Sequence, residues 1–245
     1  MLKQAKYHYQ LANGYFTDGN SPASMRELLK TLRLQPDHSR AHHLLGLIHM
    51  ARREMFDAVD HLERAVELDN EFYVAQNNLA AAYLGLCRWD QALTVLGSLV
   101  RQPLYGTPWL AHSNLGWALL KQGRRVDAIR HFKKAVFFSP RFCVGFNNLG
   151  IAYLEEGRHE DAERALKKAL SVDATCNEGY AEPHLHLARL NERMARPGAA
   201  CDELQDCMDK APRGEDEIGA GCGHSPVGLR CDRKSRQLGC SQAQR

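Results

Sequence analysis

One spacing recurs six times along this 245-residue chain and leaves few folds open to it. Counted from starts near Ala5, Ser39, Tyr73, Trp109, Cys143 and Ala181, the eighth position holds Ala12, Gly46, Ala80, Gly116, Gly150 and Ala188. The twentieth is equally small: Ser24, Ala58, Ala92, Ala128, Ala162 and Ala200. Large apolar residues surround them, with Leu11, Leu45, Leu79, Leu115, Leu149 and Leu187 in one half of each repeat. Leu28, Leu62, Leu96, Phe132, Leu166 and Leu204 stand in the other half. Gly costs roughly 1 kcal/mol relative to Ala inside a helix, so its recurrence needs a packing reason. The expected reason is a helix hairpin whose two members touch where both carry almost no side chain. Pro36, Pro140 and Pro212 close three of the repeats, because Pro cannot continue a helix. Thr107-Pro108 and the stretch from Asn177 to Tyr180 are short insertions that keep the register.

A period of ~34 residues with this pattern resembles the tetratricopeptide (TPR) repeat. The resemblance implies an all-α fold, a right-handed TPR superhelix (an α-solenoid) of six helix hairpins over residues 5–214 with a concave inner surface. Each hairpin buries its face on its neighbours, so one elongated domain is expected. Residues 215–224, rich in Gly and acidic side chains, read as a loop. Ser225-Pro226 is a sound helix start, Ser as N-cap and Pro in the first turn, and predicts a C-terminal capping helix over 225–238. Residues 239–245 are expected to form a disordered tail.

Composition excludes several classes of function. The net charge is +3 and no basic stripe interleaves with aromatics, which argues against nucleic acid as partner. No run of ~18 apolar residues exists to cross a membrane. Met1-Leu2-Lys3 leads into the first repeat without an apolar targeting region, which leaves a cytoplasmic location open. No phosphate loop, Gly-x-Ser-x-Gly or His-Glu-x-x-His is present, and His159-Glu160 opens an ordinary solvated charge run. His38 and His42 are separated by a repeat boundary, and His184 and His186 diverge on a helix, so no zinc-type ligand spacing appears. Neither an enzyme nor a metal or other cofactor is expected.

The cysteines are unevenly placed. Cys143, Cys176, Cys201, Cys207, Cys222, Cys231 and Cys240 all follow the fourth repeat, a cluster that suits disulfides in an oxidising compartment. Cys87 alone comes earlier and reads as a buried single thiol. No Cys-x-x-Cys pair suggests a zinc knuckle or a redox centre. A capping helix would bring Cys231 towards Cys207, which occupies an inward position of the last repeat, so these two are expected to staple cap to hairpin. Cys201 and Cys207 lie too far apart on one helix to pair.

In a TPR solenoid the first helix of each hairpin lines the concave face. The inward positions there carry Asn77 and Asn78, Ser113 and Asn114, and Asn147 and Asn148. An amide both donates and accepts, so such a ladder can pair with the main chain of an extended peptide. Beside it stand Leu47, Ala81, Trp117 and Ile151, then Met50, Leu84, Leu120 and Leu154. Trp117 reads as an anchor for a partner side chain. Leu84 and Leu154 suit packing between repeats as well as binding. Asn is a poor helix former, so its recurrence here points to function. Lys and Arg are scarce at these positions, with Arg40 and Arg189 isolated, unlike TPR domains that clamp chaperone C-termini.

The phrases Asn114-Leu-Gly-Trp-Ala118, Phe142-Cys-Val-Gly-Phe-Asn-Asn-Leu-Gly150 and Tyr180-Ala-Glu-Pro-His184 carry a narrower likeness. Over residues 5 to 238 the chain resembles the type IV pilus biogenesis lipoproteins, the pilotins Tgl, PilF and PilW, and most of all the Tgl form. That resemblance implies a scaffold on the periplasmic face of the outer membrane that binds secretin subunits and promotes their assembly into the pilus pore. It also implies a disulfide between Cys143 and Cys176, which bracket the fifth repeat. The family's lipidated cysteine has no counterpart, since the first Cys is Cys87, so membrane attachment would require a lipid anchor not present in this chain. The alternative expectation is a cytoplasmic TPR adaptor that holds an extended peptide of a multiprotein complex.

Overall fold

The computed structural model describes residues 2–173, 176 and 180–210. Among them are twelve α-helices: α1 Leu2–Thr17, α2 Ser21–Leu34, α3 Ser39–Ala51, α4 Met55–Leu68, α5 Tyr73–Gly85 and α6 Trp89–Leu99, followed by α7 Pro108–Lys121, α8 Arg125–Phe138, α9 Cys143–Glu155, α10 His159–Ser171, α11 Glu182–Arg193 and α12 Pro197–Lys210. They pair in order into consecutive hairpins, an all-α TPR array. The hairpins sort into two compact units, one ending at Tyr105 and the other beginning at Gly106, divided beside the Thr107-Pro108 insertion. Within each unit the second helix of one hairpin packs on the first helix of the next. The expected loop at 215–224, capping helix at 225–238 and tail lie outside the described residues, as does Cys231.

Every hairpin turns on the same backbone device. The fifteenth residue of each repeat enters the left-handed region: Gly19 (φ 75°), Arg53 (61°), Cys87 (57°), Gly123 (77°), Gly157 (76°) and Ala195 (54°). In the third hairpin the Cys87 N–H donates to the Leu84 carbonyl at 3.1 Å and the Arg88 N–H to that of Tyr83 at 2.9 Å. The same two bonds recur in the other five turns. This is the Schellman arrangement, which satisfies carbonyls that a helix end leaves unpaired. Three turns use Gly, which bears φ > 0 without penalty; Arg53, Cys87 and Ala195 carry a cost of about 1–2 kcal/mol each.

The recurring glycines of the first helices each lie under one large side chain. A Cβ on Gly46 would lie 2.6 Å from Leu62 Cγ, one on Gly116 2.8 Å from the Phe132 ring, and one on Gly150 2.6 Å from Leu166 Cγ. The eighth position therefore receives the large side chain of the twenty-fourth. Leu62, Phe132 and Leu166 are completely buried by this seating, as are Leu28 and Leu96 opposite Ala12 and Ala80. Each such side chain contributes about 1.5–3 kcal/mol by leaving water.

One disulfide joins described partners. Cys143, at the start of α9, bonds Cys176 across a Cα separation of 6.1 Å and a sequence separation of 33. Cys87 is disulfide-bonded as well, which corrects its reading as a lone thiol; Cys201 and Cys207 are also bonded. Cys207 is buried among Ala181, Leu185, Ala188 and Leu204 of the last hairpin.

The glycine seating and the disulfide can each be tested by substitution. Gly116→Ala should destabilise the chain by about 1–3 kcal/mol, because a flat, buried Phe132 ring cannot yield, and this outweighs the roughly 1 kcal/mol of helix propensity gained. Gly150→Ala should cost less, since Ala12 with Leu28 and Ala80 with Leu96 already combine Ala and Leu at these two positions. Urea unfolding would measure both, and a reversed order would contradict the seating described. Breaking the 33-residue loop with Cys143→Ser should lower stability by about 2–4 kcal/mol under oxidising conditions and leave it unchanged under full reduction.

Candidate partner-binding face

In the first unit, α3 and α5 pack side by side. The Asn78 side chain reaches back one repeat, and its Nδ2 lies 2.9 Å from His43 Nε2. His43 packs on Phe72, ring centroids 4.7 Å apart, and burial holds its pKa down to about 4. The imidazole is thus neutral near pH 7, and its bare Nε2 accepts the amide hydrogen. Asn77 is buried. Leu47 is half-buried and packs against the core formed by Ala12, Leu28, Leu44, Leu45 and Ile48.

The second unit repeats the device along α7, α9 and α11. Asn148 Nδ2 donates to Ser113 Oγ at 3.2 Å, again one repeat back. Asn147 is 0% exposed, and its Nδ2 donates forward to Glu182 Oε2 at 3.2 Å. Asn147 Oδ1 and the Tyr180 hydroxyl are both buried without a hydrogen bond of good geometry, although the Asn147 side chain lies close enough to pull the Tyr180 pKa down. Burial and Glu182 push the Tyr180 pKa far up. Asn114 and Ile151 are half-buried.

Trp117 is also half-buried, and the Lys121 ammonium sits 4.6 Å from its ring centroid. Such a cation–π contact contributes about 0.5–1 kcal/mol at an exposed site. Burial draws the Lys121 pKa below the usual lysine value, with Glu155 opposing.

These bonds correct the view that Asn is surplus to the architecture. The amides of Asn78, Asn147 and Asn148 tie successive first helices together, and Asn147 offers nothing to solvent. Leu84, Leu120 and Leu154 are buried and serve packing. What remains accessible in the second unit is narrower: Trp117, Lys121, Ile151 and the outer edges of Asn114 and Asn148. His43, Glu182 and Lys121 were the members missed from sequence. His43 and Glu182 already stood at inward positions of the repeat register, which was the signal available for them.

Three models of the tetratricopeptide repeat match the chain, over residues 9–71, 109–142 and 145–176. Together with the repeated hairpins they make it a TPR-repeat protein, of a scaffold class that is typically non-enzymatic. More particularly, its fold is similar to that of PilW, described as a widely conserved type IV pilus biogenesis factor. The TM-score is 0.74 at 20% identity, covering 84% of this chain and 92% of that one. PilF of Pseudomonas aeruginosa gives a TM-score of 0.70 at 19% identity over 84% and 91%. Cut9, solved with Hcn1 as an APC/C hetero-tetramer, gives 0.74 at 19% identity over 88% of this chain and 41% of that one. No curated protein sequence matches the chain. Among the described residues no helix is long and apolar enough to cross a membrane.

Buried histidines make the second unit acid-sensitive. His186 holds the inward position that Asn114 and Asn148 hold in other repeats, and burial, reinforced by Arg189, pulls it down to about 3. Burial, with His131 and Lys134 adding, pulls His112 down to about 4. An unfolded histidine titrates near ~6.5, so on acidification the unfolded chain takes up protons first. The stabilisation is complete above that value and is lost as pH falls from ~6.5 towards 4. The melting temperature should therefore drop between pH 7 and pH 5, before most carboxylates titrate; a flat profile there would contradict the burial of these rings.

Proposed function

We propose that the chain is an assembly factor for the type IV pilus secretin, a pilotin of the kind that Tgl, PilF and PilW represent. It holds secretin subunits non-covalently along the inner face of its first helices. The observation that carries this reading is the extent of the likeness to PilW and PilF: it spans 84% of this chain and over nine-tenths of each relative. The Cys143–Cys176 disulfide supports it, since such bonds persist in the periplasm and are rare in the cytosol. Its place of action is then the periplasmic face of the outer membrane, reached through a lipid anchor. The match to Cut9 favours a second reading, a cytoplasmic adaptor in a multiprotein complex, in which the same face holds an extended peptide.

On this account Trp117 anchors a partner side chain, and the Asn148 amide, steadied by Ser113, pairs with partner main chain. Loss of the gene should abolish heat-stable secretin multimers and leave monomeric secretin; complementation with Trp117→Ala should restore them only in part. A buried aromatic anchor of this kind is worth about 2 kcal/mol or more, roughly a thirtyfold loss of affinity on truncation. Normal multimers and normal twitching motility in the deletion strain would rule the pilotin reading out.

A further inference from the structure

Four of the six hairpins carry a histidine at the fourth position that reaches across to the twenty-third. His8 Nδ1 lies 2.6 Å from Glu27 Oε2, His42 Nδ1 3.1 Å from His61 Nδ1, His112 Nδ1 3.0 Å from His131 Nδ1, and His184 Nδ1 2.7 Å from Glu203 Oε2. In the second hairpin this pair stands beside a further histidine and two carboxylates. Donor atoms of His49, Glu54 and Asp57 lie within 4.8 Å of one another. His184, Glu203 and Asp206 form a second such group, but there the Lys210 ammonium donates to His184 Nε2 at 3.1 Å, which keeps the ring proton on Nδ1, the nitrogen that faces Glu203 and that a cation would need.

We propose that the second hairpin binds a first-row divalent cation of the zinc class through His49 Nδ1, a Glu54 carboxylate oxygen and the Asp57 carboxylate. One imidazole with two carboxylates is a donor set for Zn²⁺, Co²⁺ or Ni²⁺, whereas Mg²⁺ and Ca²⁺ take oxygen alone. The donors are already aimed. Glu54 is the N-cap residue of α4 yet makes no capping hydrogen bond with its side chain. Instead its Oε2 meets His49 Nδ1 at 2.7 Å, while Arg52 Nη2 holds Oε1 at 2.9 Å. Asp57 follows in the first turn of α4. The metal takes the place of the hydrogen between His49 and Glu54, and His49 carries its proton on Nε2.

The neighbouring histidines supply the support that metal ligands usually have. His42 Nε2 lies 3.0 Å from the Pro36 carbonyl, which can only accept, so its proton is assigned to Nε2. Its Nδ1 then accepts from His61 Nδ1–H, and His61 keeps a lone pair on Nε2. The His61 ring stacks on His49 with centroids 5.4 Å apart and planes 19° from parallel. A Pro36–His42–His61 chain thus holds the ring on which His49 stacks. The fourth repeat supplies an internal control: it has the same histidine pair and Asp127 in the place of Asp57, but Leu119 and Arg124 stand where the second has His49 and Glu54.

Calorimetric titration of the full, oxidised chain with Zn²⁺ alone tests the site, and among the described residues no free thiol competes. One saturable site is expected, weakened about tenfold or more in His49→Ala and in Asp57→Asn, and unchanged in Asp127→Asn. Circular dichroism verifies that each variant keeps its helicity. Absence of saturable binding, retention of it in either His49→Ala or Asp57→Asn, or an equal loss in Asp127→Asn would overturn the proposal. Secretin multimers are untouched by any of these outcomes.

Discussion

The seating of one large side chain on one nearly bare backbone position holds this molecule together. Leu62 over Gly46, Phe132 over Gly116 and Leu166 over Gly150 fix the separation and rotation of two helices in each hairpin. Given that separation, the second helix presents its remaining apolar face to the next hairpin. Within the first unit α3 and α5, and within the second α7 and α9, are left side by side, with their fifth and sixth residues in hydrogen-bonding reach one repeat apart. The Schellman turn sets the direction from which the second helix returns. Neither device depends on distant sequence, so each hairpin can form as a unit, and stability accumulates by nearest-neighbour contacts.

Much of this was legible in the sequence, for a physical reason. A Gly inside a helix is costly, and three of them in one register announce a close approach. The register gave the hairpins and the apolar residues that fill them. It did not show which large side chain would cover each glycine, because spacing alone cannot rank the apolar residues around a close approach. Left-handed turn residues were readable where Gly19, Gly123 and Gly157 stand. They were hidden at Arg53, Cys87 and Ala195, where surrounding packing overrides local preference.

The inward asparagines were placed on the right helices but assigned too simple a duty. Asn78 and Asn148 spend an amide hydrogen on the preceding repeat, through His43 and Ser113. Such bonds hold neighbouring first helices in register, and a buried polar group must have them or lose about 1–3 kcal/mol. A residue can serve both ends, since an amide has donors and acceptors to spare. A partner peptide would then meet a face whose polar groups are already oriented, which reduces the ordering cost of binding. Trp117 and Ile151 supply the apolar part of that face in the second unit. The histidines, by contrast, were judged only along each helix; their pairing across hairpins needed three dimensions to be seen.

The central claim is that a partner is held by the first helices of the array. Hydrogen exchange of the chain, free and bound to purified secretin subunits, measures this most directly. The account predicts new protection in α7 and α9, strongest around Asn114–Trp117 and Asn148–Ile151, with α8 and α10 unchanged. Protection confined to α8 and α10, or no change on mixing, would contradict it.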